Sequence, residues 1–143
     1  MRNRLLILLI LISSIASGQN DTAEDKAIGT ADQNEEWLTK LAEADRVSQL
    51  KMIRTRFFLK SDEGQKRDNY LPVIIINGLP FSLTKMSKNK REFLLNHLTV
   101  DHIGILMVVA QDPEELLLNK KFTGLIALTF LEKSTEKRWR KLN

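Results

Sequence analysis

The sequence predicts an α+β fold, a small mixed β-sheet with helices packed on it. Three observations carry that reading. Val73-Ile74-Ile75-Ile76 is an unbroken β-branched run that ends on Asn77-Gly78. Ile103 to Ala110 and Leu125 to Leu131 are two further apolar runs of strand length. Segments with helix-start signals lie before and between these runs. Strands alternating with helices imply a mixed sheet covered by helices.

The chain opens with a targeting pattern. Met1-Arg2-Asn3-Arg4 is basic, Leu5 to Ile12 is wholly apolar, and Ala16-Ser17-Gly18 offers small residues for cleavage after Gly18. Residues 1–18 therefore read as a signal peptide, too short in its apolar part to span a bilayer. The expected location is the periplasm or the medium, with no stable membrane span after cleavage. There is no Cys, which excludes disulfides and a Cys-linked lipid anchor. The chain carries a net charge of +4. Without Arg2 and Arg4 it holds 20 basic against 18 acidic residues, a balance that argues against a nucleic-acid partner.

Residues 19–34 form an acidic stretch poor in large apolar side chains, expected to be a flexible leader. The domain proper is expected over residues 35–133. Asn34-Glu35-Glu36 predicts a helix start with Asn34 as cap and acids in the first turn. Trp37, Leu38, Leu41 and Ala44 then share a face. Beyond Arg46 two readings compete. Val47, Leu50, Ile53 and Phe57 can extend the helix, whereas Ile53, Thr55, Phe57 and Phe58 favour a strand. The composition favours a helix to about Gln49 and a strand across Leu50–Leu59. Residues 61–69 are polar, contain Gly64 and read as a loop.

Val73 to Ile76 has no polar alternation and is expected to be buried on both faces. Burial of its four side chains would contribute about 6–12 kcal/mol gross, at about 1.5–3 kcal/mol each. Asn77-Gly78 predicts a type I′ turn, since both central positions need φ > 0. Leu79-Pro80-Phe81 returns as a short or edge strand, because Pro80 has no N–H to donate. Asn89-Lys90-Arg91-Glu92 predicts a capped helix carrying Phe93, Leu94, His97 and Leu98. Ile103 to Ala110 is expected to be a central strand. Asp112-Pro113-Glu114-Glu115 predicts a further helix start. Gly124 precedes the last strand, Leu125 to Leu131. Residues 134–143 form a basic tail around Trp139, whose indole is expected to pack back on the domain.

The order of elements and the residues that carry it resemble the plug domain of TonB-dependent outer-membrane receptors, in particular the plug-like units of Bacteroidetes-type proteins. That family opens the unit with Pro-Leu, two apolar residues, Asp-Gly-x-Pro and an apolar residue. Here the segment reads Leu71-Pro72-Val73-Ile74-Ile75-Ile76-Asn77-Gly78-Leu79-Pro80-Phe81. Leu98-Thr99-Val100-Asp101-His102-Ile103 matches the acidic residue and Ile that lead into the next strand, and Thr123-Gly124-Leu125-Ile126-Ala127-Leu128-Thr129-Phe130 matches the closing strand. The likeness covers about residues 69–133. It departs at Asn77, where the family usually has Asp, and at Lys121-Phe122-Thr123-Gly124, which replaces the usual Tyr-Gly approach to the last strand. No β-barrel and no energy-coupling box accompany it. The resemblance implies a free-standing plug-like module of the cell envelope, without transport.

Chemistry-bearing residues are few. His97, Asp101 and His102 are the one grouping with metal or acid–base potential, in a chain with no Cys and only these two histidines. No nucleophile elbow or phosphate loop accompanies them. Binding candidates are Asn77 and Gly78 at the turn, Lys88, Lys90 and Arg91 on the helix start near Lys85, and Trp139 in the basic tail. The expected function is an exported non-enzymatic module that binds an envelope protein, with no metal and no cofactor. The alternative is a small secreted hydrolase or metal-dependent enzyme built on His97, Asp101 and His102. A secreted inhibitor or small-ligand carrier has no positive residue evidence at this level.

Overall fold

The computed structural model of the chain describes residues 28–59, 70–111 and 122–142. The expected signal peptide, most of the leader, the 61–69 loop and the helix start at Asp112 lie outside the described residues.

Helix α1 (Ala31–Glu43) begins earlier than the composition implies. Thr30 is its cap, its hydroxyl accepting from the Gln33 N–H at 3.2 Å. The Gln33 side chain accepts in turn from the Gly29 N–H at 3.0 Å. This reciprocal pair satisfies two end donors. Asn34, expected as the cap, is instead inside the helix and 3% exposed. The leader expected over residues 19–34 thus does not reach Asn34, since Ala31 onward is helix and Ile28 is already buried.

Helix α2 (Arg46–Arg54) starts on Asp45, whose carboxylate accepts from the Ser48 N–H at 3.1 Å. It runs on into a single π-helical turn, Thr55–Leu59. The strand expected over Leu50–Leu59 is not there. Leu50, Ile53 and Phe57 recur at helical spacing and are all buried, so tertiary burial overrides the strand propensity of the segment. The wider π turn lets adjacent Phe57 and Phe58 both enter the core.

Strands β1 (Val73–Ile76) and β2 (Leu79–Phe81) form the expected hairpin. Asn77 at φ 50° and Gly78 at φ 77° make the turn, as a type I′ geometry requires. Helix α3 (Lys88–His97) is capped by Ser87, which accepts from the Lys90 N–H at 3.3 Å. Asn89, expected as cap, is a helical residue two places later. Glu92, expected to reach back to the cap, faces Lys88 at 3.8 Å instead. Strands β3 (Ile103–Val109) and β4 (Leu125–Phe130) follow, and the basic tail forms helix α4 (Lys133–Arg140). Among the described residues no helix is long and apolar enough to cross a membrane.

The four strands form one mixed sheet in the order β2-β1-β4-β3. β1 and β4 run parallel, and the other two pairs are antiparallel. β4 inserts between β1 and β3, so β3 is an edge strand and not the central one expected. Ile74, Ile76, Ile126, Leu128 and Phe130 line one sheet face and are buried. Against them pack Leu38 and Leu41 of α1, Leu50 and Ile53 of α2, and Phe93 and Leu94 of α3. Trp139 of α4 completes the same layer, 7% exposed, with its ring 6.2 Å from Phe130. β1 is therefore not buried on both faces. Ile74 and Ile76 point inward, while Val73 is 48% exposed. The hydrophobic contribution of this strand falls to about 3–6 kcal/mol, from two fully buried side chains.

Candidate functional site

The second face of the sheet follows from strand alternation. The Val73 N–H donates to Gly124 O and the Asn77 N–H to Leu128 O. Odd-numbered β1 residues thus bond β4, and even-numbered ones bond β2. Register then places Val73 and Ile75 of β1, Leu125, Ala127 and Thr129 of β4, and Ile105, Met107 and Val109 of β3 on the face away from the helices. Seven of these eight side chains are apolar. Ile105 is 62% exposed and Met107 50%. No described helix lies on this face. A contiguous apolar surface of this kind is a candidate interaction site.

The two sheet edges differ. On β4 the odd-numbered residues bond β3, so Ile105, Met107 and Val109 face inward along the ladder. Leu106 and Val108 therefore direct their N–H and C=O groups outward, away from β4. Arg46 covers the start of this edge, donating from Nη2 to Ile103 O at 2.7 Å and Gly104 O at 2.9 Å. Beyond it β3 carries no charge and no proline, the usual blocks to strand pairing. On β2 the pair Ile75 and Pro80 is the one not bonded across the hairpin, so Pro80 faces outward. An N–H is missing at the outward position, and that edge is closed to an added strand.

A groove of about 340 Å³ lies at the β2 end of the helix-bearing face. Ile76, Leu79, Pro80, Phe81, Trp139 and Leu142 supply its apolar walls, with Lys90 and Arg140 as its cations. The Phe81 and Trp139 rings stand 5.4 Å apart. Two of the expected binding residues, Lys90 and Trp139, thus meet here. Lys88 and Arg91 do not line the groove. Gly78 serves the turn. Asn77 is structural: its Oδ1 accepts from the Phe130 N–H at 3.0 Å, fastening the hairpin to the end of β4.

His97 and His102 come together, their ring centroids 4.8 Å apart. His97 Nδ1 lies 2.7 Å from Phe93 O, and its ring stacks on Phe93 at 3.9 Å. His102 Nδ1 pairs with the Thr99 hydroxyl at 2.8 Å. Asp101 is exposed on the intervening turn. Among the described residues no three His, Asp or Glu side chains gather as metal ligands. A catalytic zinc needs three protein ligands.

One polar network escapes sequence reasoning. Arg56 is 2% exposed and donates from Nη2 to Asn34 Oδ1 at 2.9 Å and Tyr70 O at 2.7 Å. Its guanidinium sits 4.3 Å from the Trp37 ring centroid. Asn34 Nδ2 donates to Thr123 O at 2.7 Å, and the Thr123 hydroxyl to Leu71 O at 2.8 Å. These bonds tie α1 and the π turn to the entrances of β1 and β4. No local signal announces them, since the partners are up to 89 residues apart.

No family model, no curated protein and no solved structure matches this chain.

Proposed function

We propose that this chain is an exported, non-enzymatic binding module that docks a partner protein in the cell envelope. The partner contributes a strand to the outer edge of β3 and covers the adjoining apolar face. The observation that supports this most is β3 itself: seven residues, with no described strand on its outer edge beyond Arg46 and with Ile105 and Met107 exposed beside that edge. Strand addition supplies main-chain hydrogen bonds, and the exposed side chains supply selectivity. The targeting pattern and the likeness of residues 69–133 to a receptor plug favour the envelope as its setting.

A photo-crosslinking residue placed at Met107 in the native host tests the reading, with one at exposed Lys51 on α2 as control. An envelope protein is expected to crosslink from position 107 and not from 51. Val108→Pro removes an outward N–H without touching the β4 ladder, and should abolish the crosslink while leaving the fold intact. Equal crosslinking in Val108→Pro would refute strand addition at β3.

A further inference from the structure

The groove at the opposite end of the sheet has a chemistry of its own. Six of its eight lining residues are apolar, among them Phe81 and Trp139, whose rings stand together. Its two polar groups are both cationic. Lys90 Nζ stands 5.9 Å from the Trp139 ring centroid and makes no ion pair among the described residues. Arg140 is only partly occupied: Nε and Nη2 both donate to one oxygen of Glu136, at 2.9 and 2.7 Å. An apolar cleft with cations at its rim complements an apolar body that ends in an anion. Pro80 closes the neighbouring strand edge, so the occupant does not enter as an added strand.

We infer that this groove binds a short apolar carboxylate, its chain against Phe81 and Trp139 and its carboxylate at Lys90 and Arg140. The groove, of about 340 Å³, has room for a short chain, and octanoate serves as the probe. The groove lies across the sheet from β3, so this site stands or falls independently of the partner edge.

The test is an amide and indole chemical-shift titration of the full chain with octanoate. Saturable shifts are expected at Leu79, Phe81, Lys90 and the Trp139 indole N–H. Lys90→Gln, a half-exposed helix substitution, should raise the dissociation constant about tenfold, as loss of a charge-assisted hydrogen bond does. Glu136→Gln releases Arg140 and should tighten binding, a gain that no purely structural role of Glu136 produces. Raising the salt concentration should weaken the complex. The inference is overturned if octanol shifts the same residues with equal affinity, if the shifts map to Ile105 and Met107 instead, if Lys90→Gln binds as tightly as the parent chain, or if no saturable shift occurs.

Discussion

Replacing Asn77 separates two contributions that meet at one residue. Its backbone sits at φ 50°, a conformation that costs a side-chain-bearing residue other than Asn or Asp about 1–2 kcal/mol. Its Oδ1 holds the Phe130 N–H at 3.0 Å, and that donor is left without its acceptor when the amide is removed. An unsatisfied buried donor costs about 1–3 kcal/mol. Asn77→Ala suffers both effects and should destabilise the chain by about 2–5 kcal/mol. Asn77→Gly loses only the hydrogen bond, with about 0.5–1 kcal/mol added by the freer unfolded chain. The Ala variant should therefore be less stable than the Gly variant by about 1 kcal/mol or less, with both well below the parent. Urea unfolding followed by circular dichroism reads these differences from the transition midpoints, provided the slopes agree. A Gly variant as stable as the parent would refute the clamp between the hairpin and β4. An Ala variant more stable than the Gly variant would refute the strain argument and leave the clamp.

Three further outcomes are expected. Gly124→Ala places a methyl group on the fully buried Leu38 side chain at a backbone φ of 96°, so it should cost about 3 kcal/mol or more in the same urea assay. The paired change Ile105→Lys and Met107→Lys lies on the open face and should move stability by about 0.5 kcal/mol or less while ending partner capture. A loss above about 2 kcal/mol would show that this face is covered in the free protein. Asp45 has its carboxyl held below the ordinary range, chiefly by the Ser48 hydroxyl and then by the Ser48 N–H. Its folded pKa is depressed, so its contribution is present above the unfolded value and disappears as pH falls through the folded one. Asp45→Asn keeps a capping oxygen and should flatten the loss of stability below about pH 4, measured by urea unfolding across that range.

The architecture was legible where local chemistry dictates geometry. The β-branched run and Asn77-Gly78 predicted the hairpin correctly, because few dipeptides satisfy two positive φ angles. The last strand is as expected, and Trp139 packs onto the domain as its size and apolarity imply. What was not legible depends on partners distant in sequence. Thr30 outcompetes Asn34 as cap because Asn34 is drawn into the network with Arg56 and Thr123, and Ser87 caps α3 two residues ahead of Asn89. Leu50–Leu59 folds as helix because Phe57 and Phe58 fill a core whose other walls come from the sheet and α1. Of the groove's lining, Lys90 and Trp139 stand out in the sequence by charge and aromatic content. Their meeting with Phe81 depends on the hairpin folding over α4.

The apolar runs of β1 and β3 carry a second kind of information. A strand that is half solvated ordinarily alternates apolar with polar residues, whereas one covered on both faces does not. Val73 to Ile76 and Ile103 to Val109 have the second pattern, yet the described helices cover one face only. Core packing explains Ile74 and Ile76. It does not explain Val73, Ile105 or Met107, which would be cheaper to carry as polar residues if water were their permanent neighbour. β2 shows that this chain has a device against unwanted pairing, because Pro80 closes the outward position of that edge. The corresponding position on β3, at Leu106 and Val108, has no such device. An edge that no described strand pairs, next to an apolar face that no described helix covers, is the arrangement strand addition requires. On the proposed reading, the sequence of these strands records a partner's presence as a second layer of the sheet.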